Sequence, residues 1–219
     1  MKKIYGLAAG ILLVLVAILS AGKAPDGSEP QIDFPEEEWM KNIGSKLDGA
    51  GMCVFTSFEH SARWAGWEEF RGFRDWCAAN YKGGGTPSKL AQLVKAYVDK
   101  KGIKDFDVNR NLIQYEGKDF DFLRQALQNN WLPCVTLYHS PRYGNQVIFH
   151  MVNCAHYGNG WCAILDNNFK PYEWFPEGEI GKRIAWHNPP AKQNSLKDRY
   201  WAAVIMKDSP PPAPTWGGK

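Results

Sequence analysis

Gly51-Met52-Cys53-Val54-Phe55-Thr56-Ser57-Phe58 is the stretch on which the reading of this chain turns. Gly49, Ala50 and Gly51 make a small-residue turn, after which Val54, Phe58 and Ala62 recur at helical spacing. The pattern predicts a helix from about Met52 to Trp64, with Cys53 in its first turn. A thiol there meets unpaired amide N–H groups and the positive end of the helix dipole, and both favour the thiolate.

Further helices are expected downstream. One covers Trp67 to about Asn80 and is closed by Gly83-Gly84-Gly85. Another runs from Pro87 to Lys100, capped by Thr86 or Ser88, with Leu90, Leu93, Val94 and Tyr97 on one face and Gly102 at its end. A fourth spans Phe120 to Asn129. After Pro133 the period changes to two. Cys134 to Tyr138, Gln146 to Ala155, Trp161 to Asp166 and Tyr200 to Met206 read as strands, with a hairpin turn at Tyr157-Gly158-Asn159-Gly160. Helices followed by a largely antiparallel sheet make an α+β domain.

Two strand residues complete a candidate constellation with Cys53. His150 lies in the apolar strand Val147-Ile148-Phe149-His150-Met151-Val152, and Asp166 ends the next strand. A thiol, an imidazole and a carboxylate are the parts of a cysteine nucleophile with its base and orienter. Opposed residues of an antiparallel pair have numbers that add to a constant. The register that sets His150 opposite Asp166 also sets Cys154 opposite Cys162, which makes that pair a candidate disulfide. Plainer readings stay open: a core thiol, a satisfied core histidine, and an Asx turn at Asp166-Asn167-Asn168. His60, a rival base, lies two helical turns from Cys53, roughly 10 Å away. Cys154, His156 and Cys162 lack the paired spacing of a zinc site, and no metal or other cofactor is expected. Trp64, Trp67, Phe70 and Phe73 form either core or a ligand stripe.

The whole chain has 219 residues, 44% of them hydrophobic, and a net charge of +3, too small to argue for nucleic acid. Lys2 and Lys3 precede an uncharged run from Ile4 to Ala21, so residues 1–22 read as a signal peptide or membrane anchor. The remainder is then extracytoplasmic, secreted or held at the membrane if that segment is uncleaved. Residues 23–38 read as a linker, 39–208 as the domain and 209–219 as a Pro-rich tail. Five cysteines leave at least one thiol unpaired within the chain.

With these residues in place the chain resembles the papain-like cysteine peptidases. Its layout is most similar to the double-glycine-leader peptidases that process bacteriocins. The resemblance rests on Gly-Met-Cys-Val-Phe-Thr-Ser-Phe and Gly-Gly-Gly-Thr-Pro-Ser-Lys-Leu, each opening a helix, and on Phe-His-Met-Val-Asn and Ile-Leu-Asp-Asn-Asn across a hairpin. It implies a helical part packed on an antiparallel sheet, with the site in the cleft between them. It implies Cys53 as nucleophile, His150 as base and then acid, Asp166 as orienter of the imidazole, and a peptide or amide substrate passing through an acyl-enzyme. Such families carry a Gln about six residues before the nucleophile to bind the oxyanion, whereas here that position is Leu47. The Cys53 N–H supplies one donor, and Asn42, Ser45 and Lys46 are candidates for the other. Two other readings accompany this one: a module that kept the fold and lost the chemistry, and a transglutaminase-like acyltransferase with the same order of Cys, His and Asp.

Overall fold

Helix α1, Cys53–Trp64, is buried from Cys53 through Arg63 and forms the spine of the molecule. This computed structural model describes residues 24–144, 146–170 and 172–207. The expected export segment at 1–22 and the tail at 209–219 lie outside the described residues. Around α1 pack α2, Phe73–Asn80, and α3, Pro87–Lys101. The Thr86 side chain caps α3 by accepting the Lys89 N–H, and Gly102 ends it in the left-handed conformation at φ 65°. The helix expected from Trp67 is broken. A 3-10 turn at Glu68–Phe70 is followed by Gly72 at φ 90°, a conformation that stops a helix, and α2 begins only after it.

Six strands form one antiparallel sheet. They are β1 (Leu112–Gly117), β2 (Cys134–Leu137), β3 (His150–Gly158), β4 (Trp161–Leu165), β5 (Glu173–Pro176) and β6 (Tyr200–Ile205), in the order β1-β6-β2-β3-β4-β5. Three further α-helices are α4 (Val108–Asn111), α5 (Asp121–Gln128) and α6 (Ile180–Ile184). Side chains alternate across β6. Trp201, Ala203 and Ile205 join the core around α1, while Tyr200, Ala202 and Val204 join a second core with α5 and α6. The fold is α+β, with helices packed on both faces of an antiparallel sheet.

The hairpin register differs from the one expected. Asn159 and Gly160 both have positive φ, 53° and 83°, and form a two-residue turn between Gly158 and Trp161. That demand moves the turn centre toward the C-terminus. A bulge between Cys154 and His156 then shifts the pairing back by one residue, which is too little to restore the expected register. Cys154 therefore faces Ile164, and Cys162 faces Tyr157. The expected Cys154–Cys162 disulfide is not formed, and all five cysteines are free and buried.

The stretch expected to be a linker is partly packed. Ile32 and Phe34 are buried in the second core, and the Ile32 N–H donates 3.0 Å to the Ala155 carbonyl that the bulge frees. The stripe of Trp67, Phe70 and Phe73 is core. No helix among the described residues is long and apolar enough to cross a membrane.

Candidate active site

The start of α1 and the start of β3 meet at one end of the sheet. Met52, the residue capping α1, offers no side-chain acceptor, so the Cys53 N–H keeps its capacity for a ligand. A polar seam fixes α1 on β3. Ser57, one turn beyond Cys53, donates 3.0 Å to the Met151 carbonyl. Asn167 Nδ2 donates to Ser57 Oγ and the Met151 carbonyl, both at 2.9 Å, and to the Cys53 carbonyl at 3.3 Å. Asn153 Nδ2 donates to the Ser57 carbonyl at 3.1 Å and to Ser61 Oγ at 3.0 Å. These bonds set the distance between the thiol on the helix and the imidazole on the strand.

His150 and Asp166 are hydrogen-bonded, Nε2 to Oδ1, at 2.9 Å. Asp166 reaches His150 from beyond the end of β4. It accepts the Asn168 N–H at 2.8 Å, so the Asx turn is itself what aims the carboxylate. Tyr143 donates its hydroxyl to the same carboxylate, 2.9 Å from Oδ2, and Asn168 Nδ2 donates to that hydroxyl at 2.9 Å. The ionised carboxylate only accepts, so Nε2 carries a proton and Nδ1 is left for the thiol.

Cys53 and His150 perturb one another. Burial works to raise the thiol, but the hydrogen bond and charge of His150, with the Met151 and Val54 amides, bring it below its ordinary value. Burial works to lower His150, but its bonds to Asp166 and Cys53 push it up to about 9. The pair favours thiolate and imidazolium together.

His60 takes no part in this. Its Nε2 accepts the Met40 N–H at 2.8 Å and its Nδ1 donates to Asn153 Oδ1 at 3.2 Å. Burial pushes it down to about 4, with the Asn153 bond opposing, so it is a neutral pillar of the seam. Of the three oxyanion candidates, Asn42 alone lines the cleft with Cys53. Ser45 spends its hydroxyl on the Tyr81 carbonyl at 2.7 Å, and Lys46 is exposed. Leu47, at the expected Gln position, is 48% exposed. The reason is a loop. Gly44 bridges Gly51, the Met52 N–H donates 2.9 Å to the Ile43 carbonyl, and residues 45–50 bulge outward. With that loop closed off, Asn42 lies beside Gly51, its Nδ2 3.5 Å from where a Gly51 Cβ would stand. His156 Nε2 bonds the Gly158 carbonyl at 3.0 Å, and no cluster that could hold a metal occurs among the described residues.

The cleft encloses about 500 Å³, with Gly84, Gly85, Thr86 and Pro87 on one side and Tyr138, Phe149, Trp186 and Trp201 on the other. Tyr143 and Asn168 escaped the sequence reading because both act through a turn beyond regular structure. Ser57 and Ser61, four and eight residues after Cys53 on an otherwise apolar face, were the visible signal for the seam.

No family model and no curated protein matches the chain. Among solved structures it is similar to a protein from Bacillus anthracis described as a "putative C39-like peptidase", with 13% identity, a TM-score of 0.49, and 81% of this chain and 96% of that one covered.

Proposed function

We propose that the chain is a thiol hydrolase of peptide or amide bonds, with Cys53 as nucleophile, His150 as base and acid, and Asp166 as the residue that orients the imidazole. One observation carries the reading: the His150 ring, held through Nε2 by a buried carboxylate, lies beside a thiol at a helix start, and each shifts the other's proton affinity. The Cys53 thiolate attacks the carbonyl carbon. The oxyanion is met by the Cys53 N–H, unpaired at the start of α1, and by Asn42 Nδ2. As the intermediate collapses, the C–N bond breaks and His150 Nδ1 gives its proton to the leaving amine. Neutral His150 then takes a proton from water, whose oxygen attacks the thioester. The C–S bond breaks, the acid leaves, and the thiolate–imidazolium pair is restored.

The uncharged run behind Lys2 and Lys3 supports action outside the cytoplasm, as a secreted protein or one tethered at the membrane. The test is labelling with a thiol-directed acylating probe, read by mass spectrometry. One acyl group is expected on Cys53, none in Cys53→Ala, and far less in His150→Ala. An unmodified wild-type Cys53 sinks the reading. If the acyl group passes to an added amine in preference to water, the protein is an acyltransferase instead.

A further inference from the structure

The two walls of the cleft differ in kind. One is backbone. Gly84 and Gly85 present no side chains, and Gly85 has no room for one, because its Cβ would fall 2.5 Å from that of Val54. The other is aromatic. Tyr138 stacks on Trp186 at 5.7 Å and 12°, and Phe149 meets both nearly edge-on, at 5.6 and 5.1 Å. Phe149 is 68% exposed, a large apolar group at the rim of an open cleft. Covering it with apolar surface is favourable.

Two polar residues of this wall, Thr136 and Trp201, already have partners. Thr136 donates to the Ile184 carbonyl and accepts the Trp201 N–H, both at 3.2 Å, and the Trp201 indole donates to Gln114 at 3.0 Å. Beside the Cys53–His150 pair, no Asp, Glu, Lys or Arg lines the cleft among the described residues. A charged substrate side chain placed there loses water and meets no counter-charge. A pair of glycines leaves the volume empty and Phe149 uncovered.

We propose that this cleft is a specificity pocket for a bulky neutral side chain, aromatic or branched aliphatic, close to the attacked carbonyl. The substrate class is therefore apolar peptide segments and not double-glycine leaders. The pocket matters to hydrolysis only if the reading above holds, but its binding preference needs no chemistry, so the two are tested apart.

The probes are two blocked peptides, acetyl-Ala-Ala-Phe-Ala-Ala-amide and acetyl-Ala-Ala-Gly-Gly-Ala-amide, titrated calorimetrically into the full chain carrying Cys53→Ala. The Phe peptide is expected to bind at least about tenfold tighter, the scale on which an apolar pocket discriminates. Adding Phe149→Ala closes most of that gap. Because Phe149 is exposed, its truncation spares the core, and a melting curve confirms the fold. Equal or tighter binding of the glycine peptide, or a gap that survives both Phe149→Ala and Trp186→Ala, overturns the proposal. If the preference holds while wild-type Cys53 refuses the acylating probe, the pocket stands and the hydrolase reading falls. If Cys53 acylates and binding favours glycine, the reverse is true.

Discussion

At Cys53 burial and pairing pull in opposite directions, and pairing wins. The same contest at Cys134 and Cys154 has no imidazole in it, and burial pushes both thiols up to about 12. Of the five thiols, only the one beside His150 is held below its ordinary value. Asn42 is the residue through which an oxyanion would be held from the loop side. Asn42→Ala is expected to lower kcat by about 10²- to 10³-fold with the fold intact, the usual loss for one oxyanion donor. A kcat within a factor of about two of wild type would remove Asn42 from the site. Tyr143→Phe deletes a donor to Asp166 but keeps the ring that packs on His150 at 5.6 Å. The carboxylate then holds the imidazolium proton harder. The alkaline limb of kcat/KM should move to higher pH while kcat falls roughly tenfold, the cost typical of an outer-shell partner. An unmoved limb would mean that Tyr143 only packs. Asn42 was within reach of the sequence because a short polar residue precedes the thiol. Its place opposite Gly51 was not, since it depends on how residues 45–50 close into a loop.

Among the elements, those with strong local periodicity were legible. α1 and α3 occupy the expected residues to within one or two positions, as apolar spacing and the Thr86 and Gly102 signals require. β1 and β5 were not anticipated. Leu-Ile-Gln-Tyr-Glu-Gly mixes polar and apolar residues because an edge strand is half exposed, and Glu-Trp-Phe-Pro is too short to show a period. The β3–β4 register is half legible: the Asn-Gly turn fixes its own centre, but the bulge beyond it carries no mark in the sequence. At the site α1 packs directly against the Gly83–Gly85 turn. Gly85→Ala forces a methyl onto Val54, one residue from the nucleophile. The expected cost is about 1–3 kcal/mol in urea unfolding, together with a loss of activity. A variant as stable and active as wild type would show that the turn is free to move away.

For the whole molecule, linkage sets the pH range of stability. Cys53, lowered from 9.0, adds stability above that value and loses it as pH falls through its folded value. His150, raised from 6.5, adds stability below 6.5 and loses it as pH rises through about 9. Above the folded value of the thiol, the gain from Cys53 with rising pH opposes the loss from His150. His60, lowered from 6.5 to about 4, adds stability above 6.5 that is lost as pH falls through about 4. The melting temperature should therefore fall as pH drops from 6.5 toward 4, with His60 responsible for up to about 3 kcal/mol. Calorimetry showing no loss of stability down to pH 4 would contradict this. The division into a helical part, a sheet and a cleft between them was legible in the change of period after Pro133. The burial of Ile32 and Phe34 against the bulge at Ala155 was not, because it joins residues far apart in the chain.

A thiolate at Cys53 paired with an imidazolium at His150 is tested most directly by the pH dependence of alkylation. Under native conditions iodoacetamide should modify Cys53 alone, since burial raises the other four thiols. The rate should climb through a midpoint below the ordinary thiol value of about 8.5, and in His150→Ala, where burial acts without its partner, the midpoint should rise above it. Alkylation of wild-type Cys53 with a midpoint at or above that of a free thiol, or one unmoved by His150→Ala, would contradict the central claim.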